Sequence, residues 1–340
     1  MSPQEILYKK LKESIFSCTR ESFTGLALEM FRYQYTYNPL YKTFVDSFKL
    51  DPGSVGSPEK IPFLPIEFFK THRVITGEWK EEIIFSSSGT TGSVQSKHYV
   101  SDVSIYETSF RKGFELFYGD VKDYAVFALL PSYLEREGSS LIYMVNDLMG
   151  RSNNGHSGFY QGKEEELRGW LRLREHFLKQ PERAGKKNIL LGVSYALLDF
   201  IEKEKMSVDN TIIMETGGMK GRRKEMVREE LHGILCERFG VSEIHSEYGM
   251  TELLSQAYSK GKGIFHAPPW MRVLIRDPED PFHFLGIGRT GGINVIDLAN
   301  INSCCFIATQ DLGRANADGS FEVLGRFDNS DVRGCNLLVE

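Results

Sequence analysis

The chain has 340 residues, of which 41% are hydrophobic and 26% charged, with a formal net charge of −5. These are ordinary globular values and exclude a disordered or low-complexity chain. The acidic balance gives no basic footprint for nucleic acid, and no run of about 18 apolar residues offers a membrane span.

The N-terminal stretch "MSPQEILYKKLKESIF" mixes charge with apolar residues at helical spacing. It lacks the apolar stretch of a signal peptide, so a soluble cytoplasmic protein is expected. Residues 3–36 read as two helices, with Ile6, Leu7, Leu11 and Ile15, then Phe23, Leu26, Met30 and Phe31, recurring at intervals of three and four;. After "NPLYKTF", the Pro- and Gly-bearing "DPGSVGSPEKIPFLP" is a loop;. Strands are expected at 83–85, 124–130, 188–193, 211–216 and 243–248, and helices at 139–149, 163–179, 195–204 and 222–239;. Such alternation favours an α/β sheet. Beyond residue 270 the helices stop, and "MRVLIRD", "GGINVIDL", "SCCFIATQDLG" and "FEVLGRF" are strand-like. The expected division is a helical region over 1–75, an α/β core over 76–270, and a smaller β-rich subdomain over 271–340. The five cysteines, Cys18, Cys236, Cys304, Cys305 and Cys335, show neither CxxC nor zinc-site spacing and read as separate thiols;.

Ligands of open α/β sheets bind beyond the carboxyl ends of strands, so the loops that follow strands carry the chemistry. "SSSGTTG" follows the first strand, and its small residues allow backbone N–H groups and hydroxyls to turn inward on an anion;. Ser/Gly composition equally marks a surface loop, and the pattern is not GxxxxGK[ST]. In "ETGGMKG", Gly217 and Gly218 leave room for a flat ring against the backbone; a tight turn has the same composition;. "EYGMTE" brings an aromatic ring (Tyr248), a hydroxyl (Thr251) and a hard carboxylate for Mg²⁺ (Glu252) into five residues, as would a helix cap;. "TQDLGR" and "LGRFD" place Asp311 and Arg326 after apolar strands, where an acid can accept from ribose hydroxyls or sit in a solvated turn;.

In this order the five segments "SSSGTTG", "ETGGMKG", "EYGMTE", "TQDLGR" and "GRFDNSDVRG" resemble the signature set of adenylate-forming enzymes, from residue 85 to the C-terminus. The resemblance implies an α/β fold, the large N-terminal domain of that superfamily with layered sheets and a small β-rich subdomain. It implies ATP and Mg²⁺ as cofactors. Ser88, Gly89, Thr90, Thr91 and Gly92 would hold the phosphates, with Lys97 standing in for a lysine that the family carries two positions earlier, where this chain has Gln95. Gly217 and Gly218 would border adenine, Tyr248 and Gly249 would pack on it, Thr251 would contact the α-phosphate, Glu252 would hold Mg²⁺, and Asp311 and Arg326 would meet the ribose. Ordinary members continue into a mobile C-terminal domain; the chain ends at Glu340, and that domain is expected to be missing.

Length, the two N-terminal helices, "FLPIEFFKTH" and the "SGTTG…SKH" loop are most similar to the LuxE-type acyl-protein synthetases, the long-chain-fatty-acid–protein ligases of bioluminescence operons. That resemblance implies adenylation of a fatty acid, transfer of the acyl group to the chain's own Cys335, and delivery to a fatty-acyl reductase partner. Cys335 lies in "RGCNLLVE", where phenylacetate-type ligases have valine. A free thiol is already a few per cent thiolate at neutral pH, although its commonest fate is a small buried hydrophobe. Seven residue steps separate Asp328 from Cys335, which allows the sulfur at most about 25 Å of travel. "LLPSYLEREGSSLIYMV" would lie beside the adenylate, with Tyr133, Gly138 and Ser139 shaping an acyl pocket and Leu141 and Met144 serving as helix core. Two other readings keep the fold: an acyl- or aryl-CoA ligase that hands the acyl group to coenzyme A or a carrier protein, and a nucleotide-binding subunit without chemistry.

Overall fold

The computed structural model describes residues 2–88, 94–131, 138–178, 187–208, 210–217 and 226–327. The two expected N-terminal helices are α1 (Pro3–Ile15) and α2 (Arg20–Tyr37). Each opens on a reciprocal cap, Ser2 with Glu5 and Thr19 with Ser22, which satisfies the free amides of the first turn;. A third helix, α3 (Pro39–Asp46), forms in "NPLYKTF", capped by Asn38 and opened by Pro39;. A short strand β1 (Leu64–Pro65) and a single turn α4 (Phe68–Thr71) follow. Gln34 of α2, fully buried, donates to the carbonyls of Asn300 at 3.0 Å and Ile301 at 3.2 Å, and its oxygen accepts the Cys305 amide at 2.8 Å. The N-terminal helices are thereby fastened to the 300–305 turn rather than resting on it by apolar contact alone.

Strands β2 (Ile83–Ser86) and β3 (Lys97–Val100) form an antiparallel hairpin with Phe85 opposite His98 and Ser86 opposite Lys97. The second of these strands and the next helix, α5 (Val103–Tyr118), are absent from the expected elements. Asp102 caps α5, which buries Ile105, Tyr106, Phe110 and Phe114;. The α/β alternation then runs as β4 (Tyr124–Leu129), α6 (Ser140–Ser152), β5 (Gly158–Phe159), α7 (Glu164–Leu178), β6 (Lys187–Val193), α8 (Ser194–Glu202), β7 (Thr211–Thr216), α9 (Arg228–Phe239) and β8 (His245–Tyr248). Neighbours pair in parallel in the order β8, β7, β6, β4, β5. Every residue of β4 is buried, as expected of a strand covered on both faces;. Parallel neighbours need crossover connections, so the carboxyl ends of β6, β7 and β8 emerge along one edge.

The remaining strands are β9 (Ala257–Ser259), β10 (Ile264–His266), β11 (Met271–Arg276), β12 (Thr290–Asp297), β13 (Phe306–Ala315) and β14 (Phe321–Arg326). They continue the sheet antiparallel from β8 through β9, β10, β14, β13 and β12 to β11, and β1 adds to β13 in parallel. Among the described residues this is a single 12-stranded sheet, in which the strand-rich end is hydrogen-bonded to the parallel half. Cys304 and Cys305 lie fully buried just before β13, and burial pushes the Cys304 thiol up to about 12. Both are inert hydrophobes.

Candidate active site

The turn after β8 carries Thr251 and Glu252, and its shape is set by groups distant in sequence. Asp297, at the end of β12 and fully buried, accepts the Leu254 and Ser255 amides at 2.9 Å each, and the Ser255 hydroxyl at 2.6 Å. Asn300 donates to the Glu252 carbonyl at 2.8 Å. From the other side, His98 of β3 reaches the Thr251 carbonyl with Nδ1 at 2.9 Å and the Ser303 hydroxyl with Nε2 at 2.8 Å. A carbonyl can only accept, so Nδ1 carries the proton and Ser303 donates to Nε2. Side chains alternate along a strand, and Lys97, next to His98, lies exposed on the other face;. Of the "SKH" segment, His98 reaches the Thr251 carbonyl and Ser96 the Glu252 carboxyl, and neither was among the expected site residues.

Burial holds the His98 imidazole down at about 4, against an ordinary 6.5. Above pH 6.5 both folded and unfolded chains hold it neutral. As pH falls through 6.5 towards 4, only the unfolded chain takes up the proton, and stability drops by up to about 3 kcal/mol. Chemical denaturation at pH 7 and pH 4 should show the His98→Asn chain losing about that much less than the wild type between the two; equal losses would contradict the assignment.

Ser88 ends the described part of the strand-to-loop segment, and Gly89, Thr90, Thr91 and Gly92 lie outside the described residues, as do Tyr133, Gly218 and Cys335. The stem of that loop is fixed: the Ser87 amide donates to the Ser96 carbonyl at 3.0 Å, and the Ser96 amide to the Ser87 hydroxyl at 2.9 Å. Gly138 packs against the same strand. Its carbonyl accepts the Ser86 amide at 2.7 Å, and its φ of +81° is one that side chains avoid;. Ser139 caps α6, accepting the Ile142 amide at 3.4 Å. Gly217, at the end of β7 with φ +64°, offers its carbonyl to the Ser194 hydroxyl at 2.8 Å.

These elements line a cavity of about 130 Å³ that is open to solvent on one side, bordered in part by Ser86, Ser88, Ser139, Gly217, Gly249 and Thr251. Leu141 and Met144, expected as helix core, line it as well. Its floor includes side chains that sequence reasoning missed, Tyr106, Glu247 and Gln256. A carboxylate at a strand end reads as solvated from sequence, whereas Glu247 is only 7% exposed. Burial pushes its carboxyl up to about 7, against which the hydrogen bond from Thr216 works.

Tyr248, Asp311 and Arg326 come together at the next strands. Asp311 of β13 faces Arg326 of β14 across the ladder and accepts its Nε at 3.1 Å, while its other oxygen accepts the Tyr248 hydroxyl at 2.9 Å. The Tyr248 ring rests edge-on against Phe265 and Phe321. Arg326 is 79% exposed and pairs with the buried Asp311 carboxylate. A hydroxylated ligand arriving at Asp311 would exchange partners with Arg326 or Tyr248 rather than desolvate a bare charge.

Glu252 is 6% exposed; burial raises its carboxyl pKa, with Ser96, Arg326 and Lys70 acting in the opposite direction. One buried carboxylate suits Mg²⁺, which keeps waters and substrate phosphates and takes one or two carboxylates from protein. Among the described residues no cluster of three or more His, Cys, Asp or Glu offers an all-protein cage.

No protein-family model and no curated protein matches the chain. Solved structures do. An ATP-bound MatB from Rhodopseudomonas palustris aligns at TM-score 0.53 and 17% identity over 73% of this chain and 49% of its own. A 2-hydroxyisobutyryl-CoA ligase in an open conformation with 2-HIB-AMP and CoA aligns at TM-score 0.62 and 11% identity, over 89% of this chain and 73% of its own. The same ligase in the postadenylation state with 2-HIB-AMP gives 0.61 and 11%, over 90% and 68%. This chain spans about half the length of the MatB, and at such identities the likeness concerns the fold. The chain shares the α/β fold of these structures over most of its length.

Proposed function

We propose that the chain activates a carboxylic acid with ATP, forming an acyl-adenylate, and then transfers the acyl group to a thiol. The observation that carries this reading is that the Thr251–Glu252 turn is flanked by the hairpin that stems the "SSSGTTG" loop, through His98, and by the Tyr248–Asp311–Arg326 cluster, through Tyr248 of β8. Fold neighbours solved with ATP and with an acyl-AMP support it.

In this reading an oxygen of the substrate carboxylate attacks the α-phosphorus, the bond to the bridging oxygen breaks, and pyrophosphate leaves. No side-chain base is needed, because the attacking carboxylate is already ionised. Asp311 accepts from the ribose hydroxyls and Arg326 closes over them. The Thr251 hydroxyl and the small residues of the phosphate loop donate to the oxygens whose charge grows in the transition state. Glu252 would hold Mg²⁺, which neutralises phosphate charge when bound. In the second half, a thiolate adds to the acyl carbonyl and AMP departs with its electron pair. Cys335 is the proposed acceptor; a fatty acid as substrate and a fatty-acyl reductase as partner rest on the resemblance to acyl-protein synthetases alone.

The acceptor is tested by incubating the full chain with ATP, Mg²⁺ and radiolabelled acids, then denaturing it. A protein-bound label released by hydroxylamine is expected. A soluble thioester formed only when coenzyme A is added, with no label on protein, would select the CoA-ligase reading instead.

A further inference from the structure

The floor of the cavity is built to receive a polar group. Gln256, 5% exposed, has a buried Oε1 with no hydrogen-bond partner among the described residues. Native structures leave few such atoms unpaired, and each calls for an explanation. Beside it stands the Glu247 carboxyl, whose Oε2 accepts the Thr216 hydroxyl. Gly249 makes room for the pair: a Cβ there would fall 2.4 Å from Glu247 Oε1 and 3.2 Å from Gln256 Cγ. The two side chains therefore lie together under the strand-to-turn junction, with Tyr106 and Met144 walling the same floor and the exposed Ser88 and Gly217 at the mouth. The space of about 130 Å³ between these described residues takes a benzene-sized group, where pockets for larger ligands run to about 300–1,000 Å³;.

We propose that the acid activated here is short and carries a hydrogen-bond donor, a hydroxyl or an ammonium, which seats against Glu247 and Gln256 at the floor of the cavity. This rests on the acid-activation reading and specifies its substrate class. Gln256 Oε1, an unpaired acceptor beside the Glu247 carboxyl, selects a donor, and an apolar chain end would leave it desolvated and unmatched;. Burial keeps Glu247 near 7, so at neutral pH it can meet an alcohol as the neutral acid or an ammonium as the carboxylate;. A long acyl chain satisfies neither the volume nor the unpaired acceptor.

The test is acid-dependent ATP–pyrophosphate exchange by the full chain with 3- and 4-hydroxybutanoate, 3- and 4-aminobutanoate, pentanoate and tetradecanoate. The expected result is a kcat/KM for the best donor-bearing acid at least tenfold above pentanoate and far above tetradecanoate. The responding arm identifies the donor as hydroxyl or ammonium. In Gln256→Leu the ratio of donor-bearing acid to pentanoate should fall towards one, and that ratio does not depend on the fraction of protein folded. Preference for pentanoate or tetradecanoate, or an unchanged ratio in Gln256→Leu, overturns the proposal and leaves acid activation standing. Exchange with none of the six acids overturns acid activation, and the substrate class with it.

Discussion

Replacing Glu252 by Gln should lower acid-dependent ATP–pyrophosphate exchange about a hundredfold or more while leaving the protein as stable as the wild type, or more so. The side chain is almost fully buried in the turn after β8, and burial already raises its pKa, so the charged form is costly in the free protein. An amide of the same shape removes that cost. What it could not supply is a negative oxygen for Mg²⁺, which Glu252 would hold in the proposed reaction, and loss of one such electrostatic contact typically costs two to three powers of ten, about 3–4 kcal/mol. Thermal unfolding and exchange measured on the same preparation separate the two effects. A Gln variant that exchanges at the wild-type rate would remove Glu252 from the chemistry. One that unfolds well below the wild type would make the carboxylate structural, in the manner of Asp297.

The second large effect concerns the acceptor. Cys335→Ser should abolish the hydroxylamine-sensitive label on the protein while exchange continues at close to the wild-type rate. The contrast follows from the proposed order of events, in which adenylation precedes thiol attack and uses none of its atoms. A serine hydroxyl is far weaker as a nucleophile at neutral pH than a thiol that is a few per cent ionised. The other cysteines are poor substitutes: burial raises the thiol pKa of Cys18, Cys236, Cys304 and Cys305 alike. A label that persists in the serine variant would move the acceptor elsewhere.

The parts of the fold that could be read from sequence are those whose burial is uniform. β4, β6 and β7 are apolar runs covered on both faces, and α1 and α2 carry a repeating apolar stripe behind a polar cap. β3 could not be read in this way, because "KHYV" buries its histidine through hydrogen bonds rather than through apolar character. β9 and β10, three residues each, are too short for any period to show. The same division runs through the site. Thr251, Glu252, Tyr248, Asp311 and Arg326 stand in local motifs and could be singled out as candidates from the sequence. His98, Asp297, Asn300 and Ser303 act by holding a turn from far along the chain, and Glu247 and Gln256 acquire meaning only once β8 is placed next to β7 and the segment before β9. Polar residues of that kind look like surface in a sequence, because partners distant along the chain are invisible to it.

Acid activation is tested most directly by exchange of radiolabelled pyrophosphate into ATP by the full chain, with Mg²⁺, with and without a panel of short polar and long apolar carboxylic acids. Acyl-adenylate formation is reversible, so exchange should require both an acid and Mg²⁺ and need neither coenzyme A nor Cys335. Binding of ATP with no exchange for any acid would contradict it, and would leave a nucleotide-binding protein that does no chemistry.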